Sequence, residues 1–304
     1  MMEVTVAVIG AGNREGQSIA SALVQDGGFK VRAAFQDLAS PEALTLSASG
    51  VETVQYDPED ACSVDAALRG MNCSVIITTT NFQESDPLKS EIRRGYSLAE
   101  GCKRQGVRHV VFLAQHHVHR KYGLPARHMD AKASINDYMN EISLPKTEVI
   151  LPYYFEDLVA APKPSPSGHC TYKLALPMGD TAMDGISLVQ VGPVIASILK
   201  NPHRWIGKSC SLSADRLTIK EYAVRLSRVL HPTQFQDDRI SVRAFVESHG
   251  GPDAPDLGNM FEFWKKGSQQ MSRTLTSELC PEVQTFHTWV SHNKDHIRHA
   301  LNIH

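Results

Sequence analysis

Residues 4–25 read VTVAVIGAGNREGQSIASALVQ, and they carry the clearest indication of the fold class. Val4 to Ile9 form a short apolar run that ends at glycine, which is typical of a strand buried on both faces. Gly10 to Gly16 form a glycine-bearing turn, and Gln17 to Gln25 carry apolar residues at helical spacing. A strand, a glycine turn and a helix in this order predict the phosphate-binding start of a dinucleotide-binding domain.

The alternation of strand and helix patterns continues to residue 151. Further strands are predicted at Phe29–Phe35, Val51–Gln55, Ser74–Thr78, Val110–Leu113 and Thr147–Leu151, and further helices at Val64–Leu68, Leu88–Gln105 and Ala131–Glu141. This rhythm predicts an α/β fold with a doubly wound parallel sheet of the Rossmann type, which binds ligands beyond the carboxyl ends of its strands. We therefore expect the turn, the Phe35 region, Thr78–Phe82 and Ala114–His119 to converge on one crevice. Asp57 and Lys132 are expected there too.

The rhythm breaks after residue 151, where proline-rich and polar loops interrupt the pattern. We predict a Rossmann dinucleotide-binding domain at residues 1–150. Residues 151–304 are predicted to form a smaller C-terminal α+β lobe that covers the crevice.

Composition limits the class of protein. The net charge of the 304 residues is −2, so there is no basic excess for direct nucleic-acid binding. No apolar run approaches the roughly 20 residues that span a bilayer, and the N-terminus lacks the pattern of a signal peptide. The six cysteines include no Cys-x-x-Cys pair, which favours reduced thiols and a cytoplasmic, or cytoplasmic and nuclear, protein. His116, His117 and His119 lie close together in sequence, but no carboxylate or cysteine stands at ligand spacing, and we expect no metal.

The glycine turn departs from the usual pattern at its middle position. Counted every third residue it is Gly10, Asn13 and Gly16, where glycine is usual at all three. Asparagine tolerates the left-handed region of backbone conformation. We therefore expect Asn13 to keep the turn while crowding a phosphate. The strand before it and the helix after it favour dinucleotide binding over a purely structural turn.

The tip of the second strand reads Phe35-Gln36-Asp37, where an acid selects NAD and an arginine accommodates the 2′-phosphate of NADP. Asp37 is interpreted either as a ribose ligand or as a helix cap or solvated acid. Gln36 brings no charge. Arg14 either reaches over the adenosine ribose or is a solvated turn residue. NAD(H) or NADP(H) is the expected cofactor, with weak binding and little preference for NADPH.

The catalytic acid of short-chain reductases is missing. Their Tyr-x-x-x-Lys places both side chains on one helix face, and here the corresponding residues are His128 and Lys132. The serine expected after the fifth strand is replaced at Ala114. His128 is the remaining candidate acid, although a histidine that forms only local hydrogen bonds is the favoured interpretation. Lys132 is a better candidate for a cofactor ligand than for a catalyst.

At this point the chain resembles a known family. The resemblance rests on Phe29–Arg32, Val54-Gln55 with Asp57 and Asp60, Thr79–Glu84, His128-x-Asp130-x-Lys132, Leu151–Asp157, Leu176–Gly185, Gly192-Pro193 and Asn259–Phe261. These residues are similar to the NmrA-like family of atypical short-chain dehydrogenases, and within it to the NADPH-sensing type of animals. The resemblance implies cofactor contacts at Gly10, Gly16, Thr79, Asn81, Arg93, Lys132, Tyr154 and Glu156.

The resemblance also implies a function. Members of the family often lack the tyrosine and act as sensors of the NADP(H) state that regulate other proteins, so protein partners, or a homodimer, are expected. A second hypothesis is a reductase of small carbonyl or quinone substrates that uses His128. A third is an interaction scaffold that has lost nucleotide binding.

Overall fold

The computed structural model describes residues 4–160, 163–164, 171–267 and 270–303. These residues divide into two compact units. The first comprises the chain up to His117, Arg127–Ile150 and Leu188–Cys210, and the second comprises Val118–Ala126, Leu151–Ser187 and the chain from Ser211 onward. Relative to the predicted division after residue 150, Leu188–Cys210 fold with the first unit and Val118–Ala126 with the second.

Strands and helices alternate up to residue 150. In chain order they are β1 (Val4–Ile9), α1 (Arg14–Asp26), β2 (Phe29–Phe35), α2 (Pro41–Ala48), β3 (Glu52–Gln55), α3 (Ala61–Leu68), β4 (Cys73–Ile76), α4 (Pro87–Arg104), β5 (His109–Ala114), α5 (Val118–Tyr122), α6 (Arg127–Glu141) and β6 (Lys146–Ile150).

Beyond residue 150 the strands are short and the helices more frequent. The order is β7 (Tyr153–Tyr154), α7 (Phe155–Ala160), β8 (Lys163–Pro164), β9 (Thr171–Leu174), β10 (Met183–Ile186), a 3₁₀ turn (Leu188–Gln190), α8 (Val191–Lys200), α9 (Pro202–Trp205), β11 (Ser209–Ser211), β12 (Asp215–Leu217), α10 (Ile219–Val229), β13 (Gln234–Asp237), α11 (Val242–His249), α12 (Ala254–Lys265), α13 (Arg273–Leu279), α14 (Phe286–His292) and α15 (Lys294–Ala300).

Within the described residues, seven strands form one sheet in the order β11-β6-β5-β4-β1-β2-β3. The pairs from β3 to β6 are all parallel. The strand order reverses between β1 and β4, which is the switch point where doubly wound sheets bind ligands. The predicted fold class, a doubly wound Rossmann sheet with a smaller C-terminal mixed lobe, is confirmed.

The sheet of the first unit is covered on both faces, as its apolar strands require. On one face α3, α4 and α6 bury Leu68, Leu98 and Ile135 against the strands. On the other face α8 packs on α1, and this contact is close because position 192 is glycine. A Cβ there would lie 2.5 Å from Ala22 Cβ. This packing is why residues 188–210 belong to the first unit.

The second unit contains two small three-stranded sheets among the described residues, β12-β10-β7 and β13-β9-β8. Its core includes aromatic rings packed edge to face. Tyr222 and Phe286 have ring centroids 4.7 Å apart, and Phe155 and Phe286 are 5.1 Å apart. None of the helices in the described ranges is long and apolar enough to cross a membrane.

Candidate functional site

A cleft of about 500 Å³ opens at the carboxyl ends of β1, β2 and β4, which is the switch point of the sheet. Three of the four predicted segments line it, whereas the fourth, Ala114–His119, contributes no lining residue that the structure describes. The polar lining residues include Asn13, Gln36, Asp37, Ser40, Glu42, Thr78, Thr79, Asn81, Glu84 and Arg94. The cleft lies wholly within the first unit.

The glycine turn has the tight geometry that its sequence predicts. Gly10 adopts a φ of +86°, and the Asn13 N–H donates to its carbonyl at 3.0 Å. A Cβ at Gly16 would lie 2.3 Å from the Gly10 carbonyl oxygen, so the start of α1 packs directly on the turn. A Cβ at Gly12 would meet only Phe35 Cδ1 at 3.8 Å, so the space beside this lining residue is open.

Asn13 does not adopt the left-handed conformation that we expected. Its φ is −82° and its ψ 158°, which is extended backbone that any residue can adopt. Instead its side chain has a specific partner, since Nδ2 donates to Thr79 Oγ1 at 3.0 Å. The amide therefore ties the turn after β1 to the loop after β4. Within the turn only Gly10 has a positive φ. A side chain is excluded there for a second reason, since the Ile77 carbonyl oxygen lies only 2.5 Å from where a Cβ would be.

The tip of β2 supplies an amide and a carboxylate to the cleft. Gln36 and Asp37 are both exposed and both line it. Asp37 Oδ1 accepts the Ala39 N–H at 2.8 Å in a local turn. The cap of α2 is Ser40, whose Oγ accepts from Ala43 N–H. Asp37 is therefore a turn acid rather than the helix cap, and its second oxygen faces no hydrogen-bond partner in the described residues.

The cleft is acidic. Its described lining contains three carboxylates, on Asp37, Glu42 and Glu84, and one guanidinium, on Arg94. Hydrogen bonds from Ser90 and then Arg94 hold the pKa of Glu84 below its usual value, so this carboxylate stays ionised. An acidic lining disfavours the additional charge of a 2′-phosphate.

Two neighbouring arginines of α4 have different environments. The Arg93 side chain is 65% exposed and forms a bidentate pair with Glu59, with Nε–Oε2 at 2.8 Å and Nη2–Oε1 at 2.9 Å. It does not line the cleft. Arg94 does line it, is 17% exposed and pairs with Glu84 at 2.8 Å.

The sequence carried a signal for Arg94 that motif comparison missed. The buried stripe of α4 runs through Glu91, Gly95 and Leu98. At 3.6 residues per turn, Arg94 lies about 60° from the centre of that stripe, whereas Arg93 lies about 160° from it. The helical periodicity therefore identifies Arg94 as the inward-facing cation.

Asp57 has a local role in the described structure. Its carboxylate accepts the Glu59 N–H at 2.8 Å, and its own N–H donates to Ser63 Oγ at 2.9 Å. The residues on either side, Tyr56 and Pro58, line the cleft while Asp57 does not. Burial raises the pKa of Tyr56 to about 12, so this phenol is a poorer proton donor than an ordinary tyrosine.

Lys132 is held by a buried carboxylate. Its Nζ donates to Glu91 Oε1 at 2.7 Å and to the His128 carbonyl at 3.4 Å. Glu91 is 0% exposed and also accepts from Thr78 at 2.6 Å and from the Thr80 hydroxyl. Lys132 is not a lining residue of the cleft, although Thr78 is. The lysine is therefore the counter-ion of a buried acid.

His128 lies one helical turn before Lys132 and is half-buried. Its ring packs against Phe82, with centroids 6.2 Å apart and the planes tilted by 58°. Neither His128 nor Arg14 lines the cleft. Arg14 lies instead at a neighbouring cavity of about 510 Å³, which shares Gly12 and Glu42 with it.

Tyr154 and Glu156 belong to the second unit. Tyr154 pairs with Ile186 between β7 and β10, and Glu156 Oε1 accepts from Ser187 Oγ at 2.6 Å. Their contact with a cofactor stays a prediction.

The residues of the cleft fit the adenosine and pyrophosphate part of a dinucleotide. Gly10 and Gly16 allow the turn, Gly12 leaves room for a phosphate, and α1 presents its N-terminus there. Gln36 and Asp37 stand where the ribose is selected. The cleft volume is within the range of small-molecule sites.

The two glycines at positions 12 and 16 provide a matched pair of variants. We expect Gly16→Ala to lower the free energy of unfolding by about 1–3 kcal/mol, because its Cβ would meet backbone that cannot move aside. Gly12→Ala has no such clash and should change stability by less than about 0.5 kcal/mol. Urea unfolding of both variants measures the difference, and equal stability losses would contradict the turn geometry.

The chain matches the profile of the NmrA-like family over residues 2–289. It is 25% identical over 289 residues to the NmrA-like family domain-containing oxidoreductase FrzB of Cladobotryum sp, a match that covers 86% of this chain and 84% of that protein. An NmrA-like family domain-containing protein of Dictyostelium discoideum is 22% identical over 241 residues, which are 75% of this chain and 78% of the relative.

Solved structures share the fold. NmrA, a negative transcriptional regulator, in complex with NAD superposes with a TM-score of 0.83 at 20% identity, over 100% of this chain and 99% of NmrA. NmrA in complex with NADP superposes with a TM-score of 0.79 at 20% identity, over 96% of this chain and 95% of that one. The same fold therefore accepts either nucleotide in a structural neighbour.

Proposed function

The chain belongs to the NmrA-like family, and from this membership we propose that it is a NAD(P)H-responsive regulatory protein without dehydrogenase activity. Nucleotide binding would favour one arrangement of its loops and lobe, and protein partners would read that arrangement. The sensor role, in which the chain would act like the NADPH-sensing members found in animals, is part of the same proposal, as is a cytoplasmic or nuclear location.

One observation carries the proposal. The cleft retains the glycine turn of a nucleotide site, while the groups that would do chemistry are absent or engaged. Ala114 offers no hydroxyl, His128 replaces the tyrosine, and the ammonium of Lys132 pairs with Glu91. In short-chain reductases that lysine assists the tyrosine by lowering its pKa. A site that binds a nucleotide without reacting suits a sensor.

The proposed ligand is NAD(H) or NADP(H), bound weakly. Gly10, Gly12, Thr79 and Asn81 would hold the phosphates and ribose from the turn and the loop after β4. Asp37 would bind the free ribose hydroxyls of NAD(H). The bound nucleotide would act as a signal through its redox state, without reacting. The residues named above would orient the nucleotide.

We expect little preference for NADPH over NADH in the wild-type protein. Selectivity for the 2′-phosphate normally comes from an arginine, and Gln36 brings no charge. The lining has three carboxylates against one guanidinium, and this negative excess repels the phosphate. Gln36→Arg should tighten NADPH binding about ten- to a hundred-fold and leave NADH nearly unchanged. Calorimetric titration with NAD⁺, NADH, NADP⁺ and NADPH measures this.

Arg14→Ala is the control for that titration. A wild-type preference for NADPH that survives Arg14→Ala would refute the argument from Gln36. A preference that this substitution abolishes would identify Arg14 as the substitute cation. Failure of all four nucleotides to bind at millimolar concentration would favour the scaffold hypothesis instead.

A second candidate function is a reductase of small carbonyl or quinone substrates. Two observations favour it. The relative FrzB is named an oxidoreductase, and His128 stands at the position of the catalytic tyrosine, four residues before Lys132. An imidazole can move protons near neutral pH.

We expect no steady NADPH or NADH oxidation with common aldehydes or quinones. The acid and the orienting hydroxyl are both lost, and general acid catalysis is typically a factor of about 10²–10⁴. Spectrophotometric turnover assays of the wild type and His128→Ala test this. Turnover that disappears in His128→Ala would establish the reductase and overturn the proposed regulatory function.

A further inference from the structure

We propose that Glu91 sets the affinity of the cleft for nicotinamide dinucleotides by holding the Lys132 ammonium as its own counter-ion. The proposal rests on the nucleotide binding proposed above and names the residue that controls its strength. Glu91 is a positioning residue, because it acts through Lys132 and does not line the cleft itself.

The Glu91 carboxylate is surrounded by donors. Both of its oxygens are engaged, Oε1 by Lys132 at 2.7 Å and Thr78 at 2.6 Å, and Oε2 by the Thr80 hydroxyl. The side chain is 0% exposed, and a buried carboxylate is costly unless it is paired and hydrogen-bonded. The ion pair with Lys132 therefore compensates the buried charge of Glu91 and fixes the position of the ammonium.

The pair lies beside the cleft. Thr78 is a lining residue of the cleft, and its hydroxyl and the Lys132 ammonium donate to the same oxygen, Glu91 Oε1. Together the two charges cancel, and the lysine adds no net positive potential to an acidic lining. An anionic dinucleotide then meets repulsion that a free ammonium at this position would offset.

Replacing Glu91 by glutamine isolates this effect. The amide keeps an oxygen for Lys132 and Thr78 and a polar group for the Thr80 hydroxyl, while the negative charge is removed. We expect Glu91→Gln to tighten the binding of NADH and NADPH by the same factor, about ten-fold at low salt. The gain should shrink as salt rises from 20 to about 300 mM, because screening weakens it.

Glu100→Gln is the matched control. It lies on the same helix, makes the same change of charge, and its carboxylate accepts from the Tyr138 hydroxyl rather than from a lysine. It should leave both dissociation constants unchanged. Gln36→Arg is the second comparison, since it should change NADPH binding alone.

Calorimetric titration of these proteins gives distinct outcomes. Equal tightening for both nucleotides in Glu91→Gln, absent in Glu100→Gln, supports the proposal. Binding by the wild type that Glu91→Gln leaves unchanged or weakens overturns it while the proposed function stands. No binding by any protein, Gln36→Arg included, overturns the proposed function and this inference with it. Circular dichroism of each variant checks that the fold is retained.

Discussion

Replacing Lys132 by methionine is expected to lower the free energy of unfolding by about 3–5 kcal/mol, because it leaves a fully buried carboxylate without its counter-ion. Methionine keeps the length and helix propensity of lysine, so the loss reports the charge rather than packing. The exposed Lys103 on the neighbouring helix α4 provides the matched control, and Lys103→Met should be nearly neutral.

The double variant Glu91→Gln with Lys132→Met distinguishes the energetic contribution of the ion pair from that of the lysine side chain alone. Removing both charges leaves no unpaired ion, and the two threonine hydroxyls can still bond to the amide. We expect the double variant to recover most of the stability that Lys132→Met loses. Urea unfolding of the wild type, the two single variants and the double variant gives the coupling free energy between Glu91 and Lys132. If the double variant were as unstable as Lys132→Met, the counter-ion role of Lys132 would be wrong.

Acidification between pH 6.5 and about 4 is expected to cost the folded protein roughly 3 kcal/mol through His109 alone. The imidazole is 1% exposed, and its burial lowers its pKa from 6.5 to about 4. As pH falls below 6.5, His109 is protonated in the unfolded chain but stays neutral in the folded protein. The contribution to stability is therefore complete above pH 6.5, is lost as pH falls to about 4, and changes no further below that.

The hydrogen bonds of His109 explain why it stays neutral. The Thr147 hydroxyl donates its single hydrogen to the Trp205 carbonyl at 2.8 Å. It can therefore only accept from His109, and Nε2 is the donor, also at 2.8 Å. The other nitrogen, Nδ1, is buried and has no hydrogen-bond partner among the described residues. A proton added at Nδ1 would be an unsatisfied buried charge.

His109→Gln tests this pH dependence. Glutamine retains a donor for Thr147 and does not titrate. The stability of the wild type relative to the variant should fall by roughly 3 kcal/mol between pH 7 and 4, while the carboxylates contribute to both proteins alike. Unfolding measured at half-unit pH intervals gives this difference, and parallel curves for the two proteins would refute the neutral buried imidazole.

The fold class and the position of the glycine turn could both be predicted from local sequence pattern. Buried parallel strands are continuous apolar runs, and Gly10 and Gly16 are needed because backbone approaches them closely. These are local properties, since a few neighbouring residues express each of them. For the same reason the sequence placed Gln36 and Asp37 correctly at the tip of β2, where they line the cleft.

The partners of the side chains at that edge depend instead on how distant segments of the chain pack together. Asn13 bonds to a residue 66 positions away, and Lys132 pairs with a carboxylate 41 positions away. Neither partner can be predicted from local pattern, because such contacts depend on which helix faces pack together. The helical period of α4 favours Arg94 over Arg93 as the inward-facing cation, but only the packing of α4 brings Arg94 to the cleft and to Glu84. The pairing of Lys132 with a buried acid is therefore a consequence of packing, and the spacing His128-x-x-x-Lys132 alone gave no sign of it.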